Sequence, residues 1–151
     1  MRSGAVLSVL IPLILMAADN SAQQAIIENT GSTNAAGVKL IVNRSGAAEV
    51  QPRNAESRKT TVDQQLTQRL FEDLNSIGPL SVLPRTHCMK SVSFGTALYI
   101  EYNGERSPDL SCPATADSKL AILQKDVRDL MAAAHASHSS NIRNSRIDVS
   151  R

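Results

Sequence analysis

Gly37-Val38-Lys39-Leu40-Ile41-Val42-Asn43-Arg44-Ser45-Gly46-Ala47-Ala48-Glu49-Val50-Gln51 is the stretch on which the fold turns. Val38, Leu40 and Val42 alternate with Lys39, Ile41 and Asn43, the period of a strand with one mainly apolar face. Asn43-Arg44-Ser45-Gly46 then supplies Asn at the first turn position and Gly where a left-handed residue is wanted, which predicts a type I turn with a glycine bulge. Pairing Asn43 with Ala47 sets Val42 opposite Ala48 and Leu40 opposite Val50. The apolar sides of both strands then coincide, so the expected unit is a β-hairpin over 37–51.

Downstream, residues 52–60 are polar and aperiodic and read as a surface connection. Thr60 with Asp63 resembles a capping box. Val62, Leu66, Leu70, Phe71, Leu74 and Ile77 recur at helical spacing until Gly78-Pro79, which predicts an amphipathic helix. The second half repeats the plan. Val92, Phe94, Leu98, Ile100 and Tyr102 share even parity, as one long strand bent at Gly95 would. Asn103-Gly104 marks a turn. An odd-length loop there places Pro108, Leu110 and Cys112 on the apolar face and is preferred over a two-residue loop, which would put Glu105, Ser107 and Asp109 there. Asp117 or Ser118 caps a last helix carrying Leu120, Leu123, Val127, Leu130, Met131 and Ala134, expected to end near His135.

These elements predict an α+β domain over 26–135: a two-layer ββαββα arrangement, an antiparallel sheet with two amphipathic helices on one face. Residues 136–151, rich in Ser, Asn and Arg, read as a disordered tail. At the other end, Arg2 followed by the apolar run Ala5 to Ala18 and then by Asp19 and Asn20 reads as an export signal over 1–22 with no clean cleavage triplet. Its core falls short of the roughly 20 residues a membrane span needs, so no span is expected after cleavage. The remaining ~130 residues suit one domain.

Export bears on the two cysteines. An even count in an oxidising compartment makes a Cys88–Cys112 disulfide the expectation, although His87 beside Cys88 also raises a catalytic thiol. The bridge conflicts with a straight strand over 88–94: in the preferred register the sulfurs would lie roughly 20 Å apart. Either the chain turns back between Cys88 and Val92 or that register is wrong.

A net charge of +2, with two Phe, two Tyr and no Trp, argues against nucleic-acid partners. No serine-hydrolase elbow, zinc-protease pair, phosphate loop or dinucleotide fingerprint is present, so no catalytic residue, metal or cofactor is assigned. His135 and His138 share a helix-end spacing of three, a poor metal site at a fraying end. Two segments are richer: the turn-forming Glu28–Asn34, with Asn29, Thr30, Ser32 and Asn34 as candidate contacts, and His87–Gly95, with Lys90, Ser91, Ser93 and Asp109. These favour a binding module of the cell envelope or exterior acting on a protein or envelope partner, inhibition of an extracellular protease being one form. The rivals are a small hydrolase using Ser91 or Ser93 with Lys90 or Asp109, and a structural envelope protein with no discrete site.

Asn29-Thr30-Gly31-Ser32-Thr33-Asn34, Val42-Asn43-Arg44-Ser45-Gly46, Cys88-Met89-Lys90-Ser91-Val92-Ser93-Phe94-Gly95-Thr96 and Ser107-Pro108-Asp109-Leu110-Ser111-Cys112 together resemble a family of small exported proteins of soil bacteria with no assigned activity. The likeness spans roughly 26–134. It implies an extracytoplasmic domain of this layout and supplies no catalytic residues. In three residues only, Arg44-Ser45-Gly46 is also similar to a turn of small secreted protease inhibitors.

Overall fold

The computed structural model describes residues 23–114 and 118–147, with 118 and 136–147 as backbone alone. The expected leader, the Asp117 cap and the His138 side chain lie outside what is described. Strands β1 (Gln24–Asn29), β2 (Val38–Asn43), β3 (Ala47–Pro52) and β4 (Arg58–Thr61) precede helix α1 (Gln64–Ile77). A short 3-10 turn at Leu80–Val82 leads on to β5 (Leu98–Tyr102), β6 (Glu105–Arg106) and helix α2 (Ser118–Ile147). The strands form a single antiparallel sheet in the order β4-β3-β2-β1-β5-β6. The class is α+β, as expected, but the order is ββββαββα rather than ββαββα.

The β2–β3 hairpin has the predicted register: Leu40 opposes Val50 and Val42 opposes Ala48. Gly46, at φ +88°, donates its amide to the Asn43 carbonyl at 3.1 Å, and the Asn43 Oδ1 accepts the Ser45 and Ala47 amides. An L side chain at position 46 would be strained by that φ and would meet the Val62 carbonyl oxygen at 2.5 Å.

Two strands escaped the sequence pattern. β1 sits between β2 and β5, burying Ala25 and Ile27 while Ile26 and Glu28 face the other way. It makes Glu28 and Asn29 strand residues instead of loop residues. β4 is Arg58-Lys59-Thr60-Thr61, an edge strand paired with β3, which corrects the surface connection read over 52–60. A charged edge carries no hydrophobic period because its side chains guard an open row of amides and carbonyls. Thr60 is therefore a strand residue, and the cap of α1 is Asp63, whose Oδ1 accepts the Gln65 and Leu66 amides at 2.7 and 3.1 Å.

The β5–β6 connection is the two-residue turn, not the odd loop. Tyr102 opposes Glu105, and Asn103 and Gly104 both have positive φ, the primed turn that suits strand twist. Ser107 consequently faces the buried side, where its hydroxyl accepts the Ile100 amide at 3.0 Å. Pairing then lapses at Pro108, and the chain shifts phase so that Leu110 and Cys112 are buried after all.

Both helices cover one face of the sheet. Leu70, Phe71 and Leu74 of α1 join Leu120, Leu123, Val127, Leu130 and Ala134 of α2 in a core with the inward residues of β1, β2, β3 and β5. α2 runs on past His135 to Ile147, into the segment read as a tail.

Between the helices lies a charge cluster in which Asp126 alone is buried. Arg69 donates to Asp126 at 2.6 Å and to Asp129 at 3.0 Å, and Lys125 also reaches Asp129. Burial first, and then the neighbouring Asp73 carboxyl, push Asp126 up to about 6 against the pull of Arg69. The folded state therefore holds a proton that the unfolded chain releases near 3.8. Stability should rise as pH falls from 7 through 6 and level off below about 4, by on the order of 1 kcal/mol. Urea midpoints at pH 7 and 4.5 measure this, and Asp126→Asn should flatten the difference. An equal rise in the variant would place its origin elsewhere.

Candidate functional site

The two segments singled out in the sequence meet in space. The Thr30 amide donates to the Ala97 carbonyl at 3.0 Å, and the Thr30 hydroxyl accepts the Ala97 amide at 3.1 Å. Thr33 Oγ1 donates to the Val92 carbonyl at 3.4 Å, and the Asn34 amide donates to that of Ser93 at 3.3 Å. Within the first segment, Asn29 Oδ1 accepts the Gly31 amide and the Ser32 amide bonds the Ala35 carbonyl. Residues 29–34 thus form a shelf under a second loop.

That second loop, 91–97, corrects the long strand expected from Val92 to Tyr102. The Gly95 amide donates to the Ser91 carbonyl at 2.7 Å, and Ser91 Oγ accepts the Ser93 and Phe94 amides at 3.3 and 3.4 Å. Ser91 therefore caps a turn. A Cβ at position 95 would sit 2.4 Å from the Ser91 oxygen and 2.7 Å from Lys90 Cβ, so only glycine closes it. Leu98, Ile100 and Tyr102 keep the buried parity, but Val92 and Phe94 are 91% and 71% exposed.

Covalent and ionic ties hold the loop at its base. Cys88 and Cys112 are joined, with Cα atoms 5.5 Å apart, so no free thiol stands beside His87. The turn satisfies the distance that a straight strand could not. Cys112 is buried, and its carbonyl accepts from Gln124 of α2. Lys90 pairs with Asp109 and donates to the Thr96 carbonyl at 2.8 Å. Asp109 Oδ1 also accepts the Leu98 and Ser111 amides at 3.0 and 2.9 Å and the Ser111 hydroxyl at 2.7 Å. Burial pushes the Asp109 carboxyl up, but Lys90 and those amides outweigh it and hold the group below the ordinary carboxylate value. Lys90 and Asp109 are committed to each other and to the loop backbone rather than to the Ser91 or Ser93 hydroxyl.

Met89 stands between these two ties, fully exposed at 102%. Sequence reasoning passed over it and placed Val92 and Phe94 in the core. Ser91-Val92-Ser93-Phe94 alternates as a strand would, and only the disulfide's distance demand signalled a turn.

Beside the loop an open cleft of about 610 Å³ is lined by residues including Arg85, Thr86, His87, Tyr99 and Arg106. Arg106 stacks on the Tyr99 ring at 4.1 Å and pairs with Glu28 and Glu101. Of the cleft's cations, Lys90 and Arg106 are paired within the fold. No family model, curated protein or solved structure matches the chain.

Proposed function

We propose that this protein is an exported binding module that engages a protein partner through the loop 88–97. One observation carries the reading: Met89, Val92 and Phe94 are exposed at 102%, 91% and 71% within six residues, on a loop whose polar groups are tied inward. Single exposed apolar residues are ordinary on protein surfaces, whereas a concentrated group on a braced loop marks a contact site. The disulfide is compatible with an oxidising exterior, and among the described residues no helix is long and apolar enough to cross a membrane. The apolar leader over 1–22 supports export.

A photo-crosslinking phenylalanine analogue placed at Phe94 in the producing cell tests the site. We expect a discrete adduct from position 94 and none from Lys125, an exposed position on α2. Val92→Ser should weaken adduct formation about tenfold while changing stability by less than about 0.5 kcal/mol. Equal labelling from both positions would remove the loop from consideration.

A further inference from the structure

We propose that Met89 is the side chain this protein inserts into the primary-specificity pocket of a serine endopeptidase, with residues 84–90 lying in the enzyme's cleft as a substrate-like strand. The proposal deepens the reading of the loop as a contact surface and rests on it.

The first ground is the backbone. Leu83 is extended at φ −60°, ψ 145°, and residues 84–91 beyond it belong to no helix, strand or turn. Among the described residues the amides and carbonyls of 84–90 make no hydrogen bond, although the segment is braced at its end. A segment outside any sheet, with its polar row unpaired, is open to a peptide-binding cleft, which takes up a chain main chain to main chain with alternate side chains dropping into pockets. Endopeptidases grip the chain they cut in this way, and one pocket sets their specificity.

The second ground is the placing of the ties. Cys88 precedes Met89 and is bound through sulfur to Cys112; Lys90 follows it and is bound to Asp109 and the Thr96 carbonyl. Between those two ties Met89 projects, fully exposed. A long, unbranched, apolar side chain fits an apolar pocket. Lys90, which an acidic pocket would want, is already paired within the fold.

The third ground is the fate of the peptide bond once it is attacked. The enzyme's serine oxygen adds to the Met89 carbonyl carbon, the Met89–Lys90 bond breaks, and the proton taken from serine passes to the Lys90 nitrogen, leaving Met89 esterified to the enzyme. In an ordinary substrate the new amine diffuses away and water completes hydrolysis. Here both ends stay fixed, Met89 through Cys88 and the amine through Lys90, so the amine remains at high effective concentration. It attacks the ester, re-forms the peptide bond and returns the proton to the serine oxygen. Holding Cys88 and Lys90 on either side of Met89 also lowers the ordering cost of binding.

The test titrates the disulfide-bonded protein against chymotrypsin and subtilisin, whose pockets are apolar, and against trypsin, whose pocket is acidic. We expect stoichiometric inhibition of at least one of the first two at about 10⁻⁷ M or tighter, and none of trypsin. Met89→Gly should weaken it about 100-fold or more. Met89→Arg should move inhibition to trypsin, and because Met89 is fully exposed both variants should unfold at the wild-type urea midpoint. Failure of Met89→Arg to inhibit trypsin, or cleavage of the Met89–Lys90 bond as fast as in a free peptide of residues 84–95, overturns the proposal. A position-94 adduct with a partner that is not a peptidase, combined with no inhibition, overturns it too while leaving the loop as a contact surface. Absence of both sinks the two readings together.

Discussion

Replacing Cys88 and Cys112 together by alanine is expected to lower the free energy of unfolding by about 3 kcal/mol and to free the segment that carries Met89. The bridge spans a sequence separation of 24, and in the chain-entropy account closing a loop of that length restricts the unfolded chain by about that amount. The native state loses unequally at the two ends. Cys112 keeps its place without the sulfur, because Leu110 donates to the Leu98 carbonyl at 2.7 Å and Gln124 holds the Cys112 carbonyl. Cys88 has no such support, since no backbone hydrogen bond fixes residues 84–90 among the described residues. The variant should therefore keep its sheet and helices while 84–89 come away from Cys112, with Lys90 still held by Asp109. Urea unfolding should show a lower midpoint at a similar slope. Amide exchange should stay slow in β1, β2 and β3 and speed up in the turn 91–95. An unchanged midpoint would mean that the bridge does not stabilise the fold.

What could be read from the sequence tracks the strength of each local pattern. The β2–β3 hairpin was legible to its register because alternation and turn chemistry agreed independently on one pairing. α1 was legible from its stripe, though its cap was read three residues early. β1 was not, because Ala25-Ile26-Ile27 comes directly after the apolar leader and alternates for too few residues to stand out. β4 was invisible because a polar edge strand pairs through its backbone and buries little. The site was half legible. Lys90, Ser91, Ser93 and Asp109 were identified and do converge, as the scaffold of the loop. The exposed residues were missed because Val92 and Phe94 mimic a buried strand in one dimension, and a turn closed by Ser91 and Gly95 is needed to turn them outward. Periodicity records which side chains alternate, not whether a sheet exists for them to face.

Phe71→Ala is expected to cost more than the disulfide, about 3–5 kcal/mol. Phe71 has no exposed surface and joins three parts of the fold. Its ring meets that of Tyr102 edge-on, 5.7 Å between centroids and 66° between planes, which couples α1 to β5. The Arg44 guanidinium from the β2–β3 turn lies 5.6 Å over the same ring, and the buried Thr67 hydroxyl one turn away on α1 reaches the Arg44 carbonyl at 3.3 Å. Removing the ring leaves a cavity beneath the sheet and strips Arg44, whose Nε is already buried without a partner, of its contact with the ring. Phe71→Leu preserves most of the volume and should cost about 1 kcal/mol. Phe71 makes none of the bonds that hold Cys88 or Lys90, so under the proposed peptidase contact the folded fraction of Phe71→Ala at low temperature should inhibit to the same extent as the unsubstituted protein. The Cys88→Ala, Cys112→Ala protein should not, even where it is fully folded. A loss below about 1 kcal/mol in Phe71→Ala would show that the helices close over the gap, and that the sheet is held by its strand pairing more than by this ring.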